Sequence, residues 1–281
     1  VTVGDRTVKA SLPSGDAVEI YYHGATVTSW TSSSGDSQIF LSTASVLDGS
    51  AAIRGGIPVV FPNFGTPPKN HSTSNLPSHG FARNSTWDFQ GSEEEEEGAV
   101  VVMRFHLNSS MLSLDYQTKW PQSVDLAYTL TLAENSLTAD LRVDNTDVEA
   151  WEFQFLLHSY MSVPDISGVT VSGLQGSTYQ DKTKNYTVVT ETSDAVTIVN
   201  ETDRIYTPLS DEVVLNYEGD PRVTVTKNNL PDVTVWNLWE TKANTTKDFA
   251  PKDAWQRYLA IEPGSVVNFT RLAPGSAWEA S

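Results

Sequence analysis

Between Val124 and Leu132 the apolar residues fall on every second position, Val124, Leu126, Tyr128, Leu130 and Leu132, with polar or small residues between them. That period of two is the mark of a strand with one buried face. After a turn at 133–136, Leu137, Ala139, Leu141 and Val143 resume the alternation, so a long antiparallel hairpin is predicted. Shorter runs of the same kind occupy 18–22, 25–30, 99–107, 169–174, 195–199, 213–217, 223–226, 233–236, 258–262 and 266–272. Helical patterning is confined to short turns near 109–114 and 253–257. The expectation is an all-β chain of about a dozen strands.

No stretch rich in Pro and Gly divides the 281 residues and no period repeats, so residues 1–281 read as a single domain. The five consecutive glutamates at 93–97, between Gly91 and Gly98, repel one another and read as a solvated loop rather than a cation site. Residues 66–76, dense in Pro, Asn, Ser and His, read as a surface loop of the sort that borders a site.

Charge narrows the choice of ligand. With 18 Lys+Arg against 35 Asp+Glu the net charge is −17, which repels a nucleic-acid duplex or an anionic bilayer. No apolar run approaches the roughly 18 residues of a membrane helix. The absence of cysteine removes disulfides, thiolate nucleophiles and Cys-ligated metals. A small anion remains acceptable where the few arginines gather. Seven N-x-S/T sequons, at Asn70, Asn84, Asn108, Asn185, Asn200, Asn244 and Asn268, together with few Lys and many Ser and Thr, fit an exported protein slightly better than a cytosolic one. No leader pattern stands at Val1, as expected of a leader removed or never present.

Among the five histidines none has the i, i+4 spacing with glutamate of a helical zinc site, so no metal centre is expected. His23 and His106 read as structural or surface residues. His79 differs, because it lies in Pro77-Ser78-His79-Gly80-Phe81-Ala82-Arg83, where glycine permits close backbone approach. His158 reads as an imidazole inside the apolar strand Phe155-Leu156-Leu157-His158-Ser159-Tyr160, where burial requires a partner. Arg54 precedes the paired glycines of Gly55-Gly56-Ile57-Pro58, and with Arg83 on a converging loop it would form an anion site. Two separate surface arginines, each paired with a carboxylate, are the rival reading. Glu262 ends the apolar run 258–261 just before Pro263-Gly264, and is read as a half-buried carboxylate at a strand end beside a forced turn. Asp203 stands next to Arg204, so a plain salt bridge competes with a binding role.

Taken together, the segments 47–65, 76–87, 157–173, 201–206, 235–249 and 261–264 resemble, in order along nearly the whole chain, the fungal glucose-6-phosphate 1-epimerases of the galactose-mutarotase-like superfamily. The resemblance implies a β-supersandwich of two large, mostly antiparallel sheets and the interconversion of α and β anomers of a hexose 6-phosphate. It implies that His158 is the general acid toward the ring oxygen and Glu262 the general base toward the anomeric hydroxyl. His79 and Asp203 would hold sugar hydroxyls, and Arg54 and Arg83 the phosphate. Small departures from the family pattern are Ser159, Met161-Ser162 and Asn237-Leu238-Trp239, none of which removes a proton-transfer group. No metal and no cofactor is implied, the partner is a small-molecule sugar phosphate, and a monomer is expected. Two other readings stay open, a mutarotase of a neutral aldose and a non-catalytic carbohydrate-binding protein.

Overall fold

The computed structural model describes residues 1–281 except for the side chain of Glu96. Antiparallel pairing joins its strands into four sheets of four, eight, four and five strands. The all-β expectation holds, and the two larger sheets face each other.

The five-stranded sheet runs Ala277–Ala280, Ser136–Asn145, Val124–Ala133, Val100–Asn108 and Asp88–Glu95. Its centre is the expected hairpin, paired from Val124↔Asn145 to Ala133↔Ser136. Strict alternation in Val124–Ala133 points Val124, Leu126, Tyr128, Leu130 and Leu132 inward, each buried. The glutamate run departs from its expected loop. Glu93, Glu94 and Glu95 are exposed members of the edge strand Asp88–Glu95, where repulsion is relieved by solvent; the side chain of Glu96 lies outside the described part.

The eight-stranded sheet carries, in spatial order, Thr187–Thr190, Thr178–Asp181, Thr202–Thr207, Asp232–Asn237, Tyr258–Leu272, Trp151–Leu157 and Val59–Val60, with Tyr160–Ser162 also paired to Tyr258–Leu272. One face is core. Phe153 and Phe155 meet Trp278 of the five-stranded sheet at centroid distances of 5.2 and 5.7 Å, and Leu157, Val233, Val235, Leu259 and Ile261 join them. The residues of opposite parity belong to the other face, where Leu156 and Ile205 form one small cluster and Tyr160, Tyr258 and Ala260 another. That second face is where the polar residues gather.

Two expectations are corrected on this sheet. Glu262 is not at a strand end, because Tyr258–Leu272 continues through Pro263 and Gly264, which pair with Val233 and Asp232. Gly264 makes this possible, since a Cβ there would lie 2.7 Å from the Phe155 carbonyl oxygen. His158 is not inside a strand either. It and Ser159 form a two-residue break between Trp151–Leu157 and Tyr160–Ser162. The short turns occur near their expected places, as Ser109–Met111 followed by Leu114–Lys119, and as Ala254–Arg257. The helix Trp239–Thr245 was not anticipated.

Candidate active site

The register of the eight-stranded sheet brings the two central side chains together. Leu156 pairs with Gly264 and Tyr160 with Ala260, so the break at His158 keeps step and sets His158 opposite Glu262. Both have the parity of the outer face, and His158 Nδ1 lies 3.1 Å from Glu262 Oε1. The alignment is not that of a hydrogen bond. The ring nitrogen and both carboxylate oxygens are buried without a partner, an unfavourable state for three polar atoms unless a ligand meets them. On its other side Glu262 pairs with Thr234, whose hydroxyl is likewise buried and unpartnered. The imidazole is held by stacking on Tyr160 at 4.8 Å, by the edge of Trp236 at 5.4 Å, and by its backbone N–H donating to the Pro58 carbonyl at 3.0 Å.

Loops deliver the remaining groups. Gly56 and Gly80 sit at φ +70° and +69°, and a Cβ at either would fall 2.0 Å from the Val27 or 2.1 Å from the Phe61 carbonyl oxygen, so only glycine lets these segments pass. Beside Gly80, His79 itself has φ 66°, a strained position for a non-glycine residue. Its Nδ1 accepts from the Gly65 N–H at 3.4 Å, which leaves the ring proton on Nε2. Arg83, in the turn Ala82–Asn84, donates to the Ser78 carbonyl at 3.1 Å, while its buried Nε has no partner.

All six residues singled out from the sequence, Arg54, His79, Arg83, His158, Asp203 and Glu262, line one cavity of about 260 Å³. Phe64, Ser78, Lys182, Thr234 and Trp236 complete it. The rival reading of the arginines holds for one of them. Arg54 donates from Nε to Asp248 at 3.1 Å and from Nη1 to the Tyr160 hydroxyl at 3.3 Å, whereas Arg83 meets no carboxylate among the described residues. The salt bridge between Asp203 and Arg204 does not form. Neighbours on a strand face opposite ways, so Arg204 turns to the Tyr206 hydroxyl and Glu191, and Asp203 faces the cavity 3.1 Å from Lys182 Nζ. Lys182 and Asp248 escaped sequence reasoning. Each is one of many surface-like charges in its segment, and only tertiary contact gives it meaning.

The charges around the cavity oppose one another. Burial, and next the Asp203 charge, hold the Glu262 carboxyl well above the usual carboxylate range, with Lys182 and Arg83 pulling the other way. Burial, then Arg83 and Arg54, hold the His158 imidazole well below its ordinary value. His79 is lowered for the same first two reasons, burial and Arg83. The Arg83 guanidinium itself is pushed down to about 10 by burial. Burial thus favours the uncharged form of both members of the pair, a protonated carboxyl and a neutral imidazole.

The sequence matches a known family. The aldose 1-epimerase family model covers residues 7–281. The chain belongs to the aldose 1-epimerase family. A protein of Cenchrus ciliaris named "putative glucose-6-phosphate 1-epimerase" is 34% identical over 265 residues, which span 92% of this chain and 78% of that one. A protein of the same name from Escherichia coli (strain K12) is 30% identical over 240 residues, 85% of this chain and 76% of its own. In fold, the crystal structure of a "putative mutarotase" from Salmonella typhimurium superposes with a TM-score of 0.83 at 23% identity, covering 99% of this chain and 90% of that one. The aldose 1-epimerase family is thus established, and with it an epimerase.

Proposed function

We propose that this aldose 1-epimerase-family protein interconverts the α and β anomers of hexose 6-phosphates, with His158 and Glu262 as its proton-transfer pair. The observation that carries this reading is the register-matched, partnerless pair, 3.1 Å apart in a cavity that also holds Arg54 and Arg83. The anomeric hydroxyl and the ring oxygen are both bonded to C1, so an acid and a base this close can address both at once. Glu262 takes the proton of the C1 hydroxyl while His158 gives one to the ring oxygen. The C1–O5 bond breaks, C1 becomes an aldehyde, and rotation about C1–C2 presents its other face. Attack by the C5 hydroxyl closes the ring, returning one proton to His158 and drawing one from Glu262. Each group contributes on the order of 10²–10⁴-fold.

Around this centre His79 Nε2–H donates to a sugar hydroxyl, and Asp203, which faces the cavity beside Lys182, accepts from another. Arg83 and Arg54 bind the phosphate. Phosphate binding also helps the chemistry, because the two guanidinium charges that depress His158 are neutralised when the substrate arrives. The likeness to proteins named glucose-6-phosphate 1-epimerase supports the same substrate class. One observation favours a neutral aldose instead, namely that Arg54 already has a carboxylate partner in Asp248.

The experiment is anomer exchange followed by NMR with glucose, glucose 6-phosphate, galactose 6-phosphate and mannose 6-phosphate in parallel. Charge-assisted contacts to phosphate predict a kcat/KM about 10- to 100-fold higher for a hexose 6-phosphate than for glucose. Equal acceleration of glucose would transfer the assignment to a neutral sugar. No acceleration of any of them would end the epimerase reading of this site.

A further inference from the structure

Lys182 is the cation of the cavity that the mechanism leaves unused. It opens the short turn Lys182–Lys184 directly after the strand Thr178–Asp181. Asp181, its neighbour, is occupied elsewhere, accepting from the Thr183 backbone and hydroxyl and meeting Lys184 at 3.3 Å. The Lys182 ammonium is thereby free for the cavity. It lies 3.1 Å from Asp203 Oδ1 and 4.7 Å from the centre of the Phe64 ring, a seat between a carboxylate and an aromatic face. The pair is largely withdrawn from solvent, with side-chain exposures of 20% for Lys182 and 14% for Asp203, so bulk water screens it little.

Asp203 needs that compensation because a second carboxylate stands in the same cavity. Two buried carboxylates that share a site cannot both ionise freely, and the negative charge of one drives a proton onto the other. We propose that Lys182 is a positioning residue of the epimerisation, an ammonium that offsets the Asp203 carboxylate so that Glu262 can stand ionised and receive the anomeric proton. This rests on the reading of Glu262 as the base. The other groups bearing on Glu262 are His158 from the strand break opposite, Arg83 from the turn Ala82–Asn84, and the hydroxyls of Tyr160 and Tyr258, while Thr234 across the ladder is neutral. Arg54 and His79 reach this group by contact with Tyr160 and His158, at 3.3 Å to the hydroxyl and 5.6 Å between ring centroids. Of the cations in this group, Lys182 alone is in contact with Asp203.

The test is the pH profile of kcat/KM for glucose 6-phosphate in wild type, Lys182→Met, Lys182→Arg, Asp203→Asn and the Lys182→Met/Asp203→Asn pair, with thermal unfolding recorded for each. Removing a positive charge favours protonation of both members of the His158–Glu262 pair, so both limbs of the profile should move to higher pH in Lys182→Met, by on the order of one unit. Lys182→Arg should restore the limbs, Asp203→Asn alone should move them to lower pH, and the double variant should lie near wild type whatever its KM. If Lys182→Met does not fold, Lys182→Gln carries the same expectation. Limbs that stay in place in Lys182→Met or Lys182→Gln, with only KM raised, would overturn the proposal and leave Lys182 a binding or structural group. Glu262→Gln is measured alongside. Wild-type turnover in that variant would remove the base itself, a failure distinct from unmoved limbs in a protein whose Glu262→Gln variant is dead.

Discussion

Glu262 is a poor residue for stability. It is 1% exposed, neither of its oxygens has a hydrogen-bond partner, and its carboxyl is held well above its ordinary value. A carboxyl whose proton affinity is higher in the folded than in the unfolded chain favours folding while protonated. That advantage is lost as pH rises past the unfolded value, so at neutral pH the residue works against the fold. Glu262→Gln, which keeps the shape and removes the charge, should therefore raise the midpoint of thermal unfolding at pH 7 to 8, with a gain on the order of 1 kcal/mol that vanishes near pH 4. An unchanged or lowered midpoint at neutral pH would mean that the buried carboxylate is compensated. At this scale the six singled-out residues were legible because each broke a local rule, such as a histidine in an apolar run or an arginine before paired glycines. Lys182 and Asp248 broke none. Their roles arise from contacts spanning 21 residues to Asp203 and 194 to Arg54, which no local pattern reports.

At the scale of elements, the cavity depends on loops threaded past other backbone. Gly80 is one such point beside the site, and Gly80→Ala would set a Cβ 2.1 Å from the Phe61 carbonyl oxygen at φ +69°. It should destabilise the protein by about 1–3 kcal/mol or more and raise KM by displacing His79 and Arg83 on either side. Chemical denaturation and substrate kinetics on the same preparation would check both parts, and a stable variant with wild-type KM would contradict them. Alternation located the hairpin of Val124–Ala133 and Ser136–Asn145 almost to the residue. It failed at Pro263-Gly264, which suggested a strand end and a forced turn. Asp232 stabilises the irregular part of this strand instead, with its carboxylate accepting the Val266 and Val267 N–H groups at 2.8 Å each. The helix Trp239–Thr245 was invisible for a related reason, because Ala243 is its single buried residue and no apolar period marks it.

For the molecule as a whole, an excess of 17 negative charges surrounds a cavity that gathers Arg54, Arg83 and Lys182. An anionic substrate of the kind proposed would thus be directed to one place on the surface rather than held broadly. Glycosylation, if the protein is made in a eukaryotic secretory host, must respect the same geography. Asn70, Asn185, Asn200, Asn244 and Asn268 are exposed, whereas Asn84 is half-buried next to Arg83 and donates to the Gly80 carbonyl at 3.3 Å. Glycopeptide mass spectrometry should find glycans confined to the exposed sequons and none on Asn84. Full occupancy of Asn84 in an active preparation would show that Arg83 does not face the substrate.

The direct test of a proton-transfer pair is the exchange rate between glucose 6-phosphate anomers, read by NMR for wild type, His158→Ala, Glu262→Gln and the double variant at one pH. Each single substitution should reduce the catalysed rate by about 10²–10⁴-fold. The double should lose little more than either alone, because two residues that act as a unit are not additive. Wild-type-like exchange in His158→Ala or Glu262→Gln, or losses that multiply in the double variant, would contradict the pair.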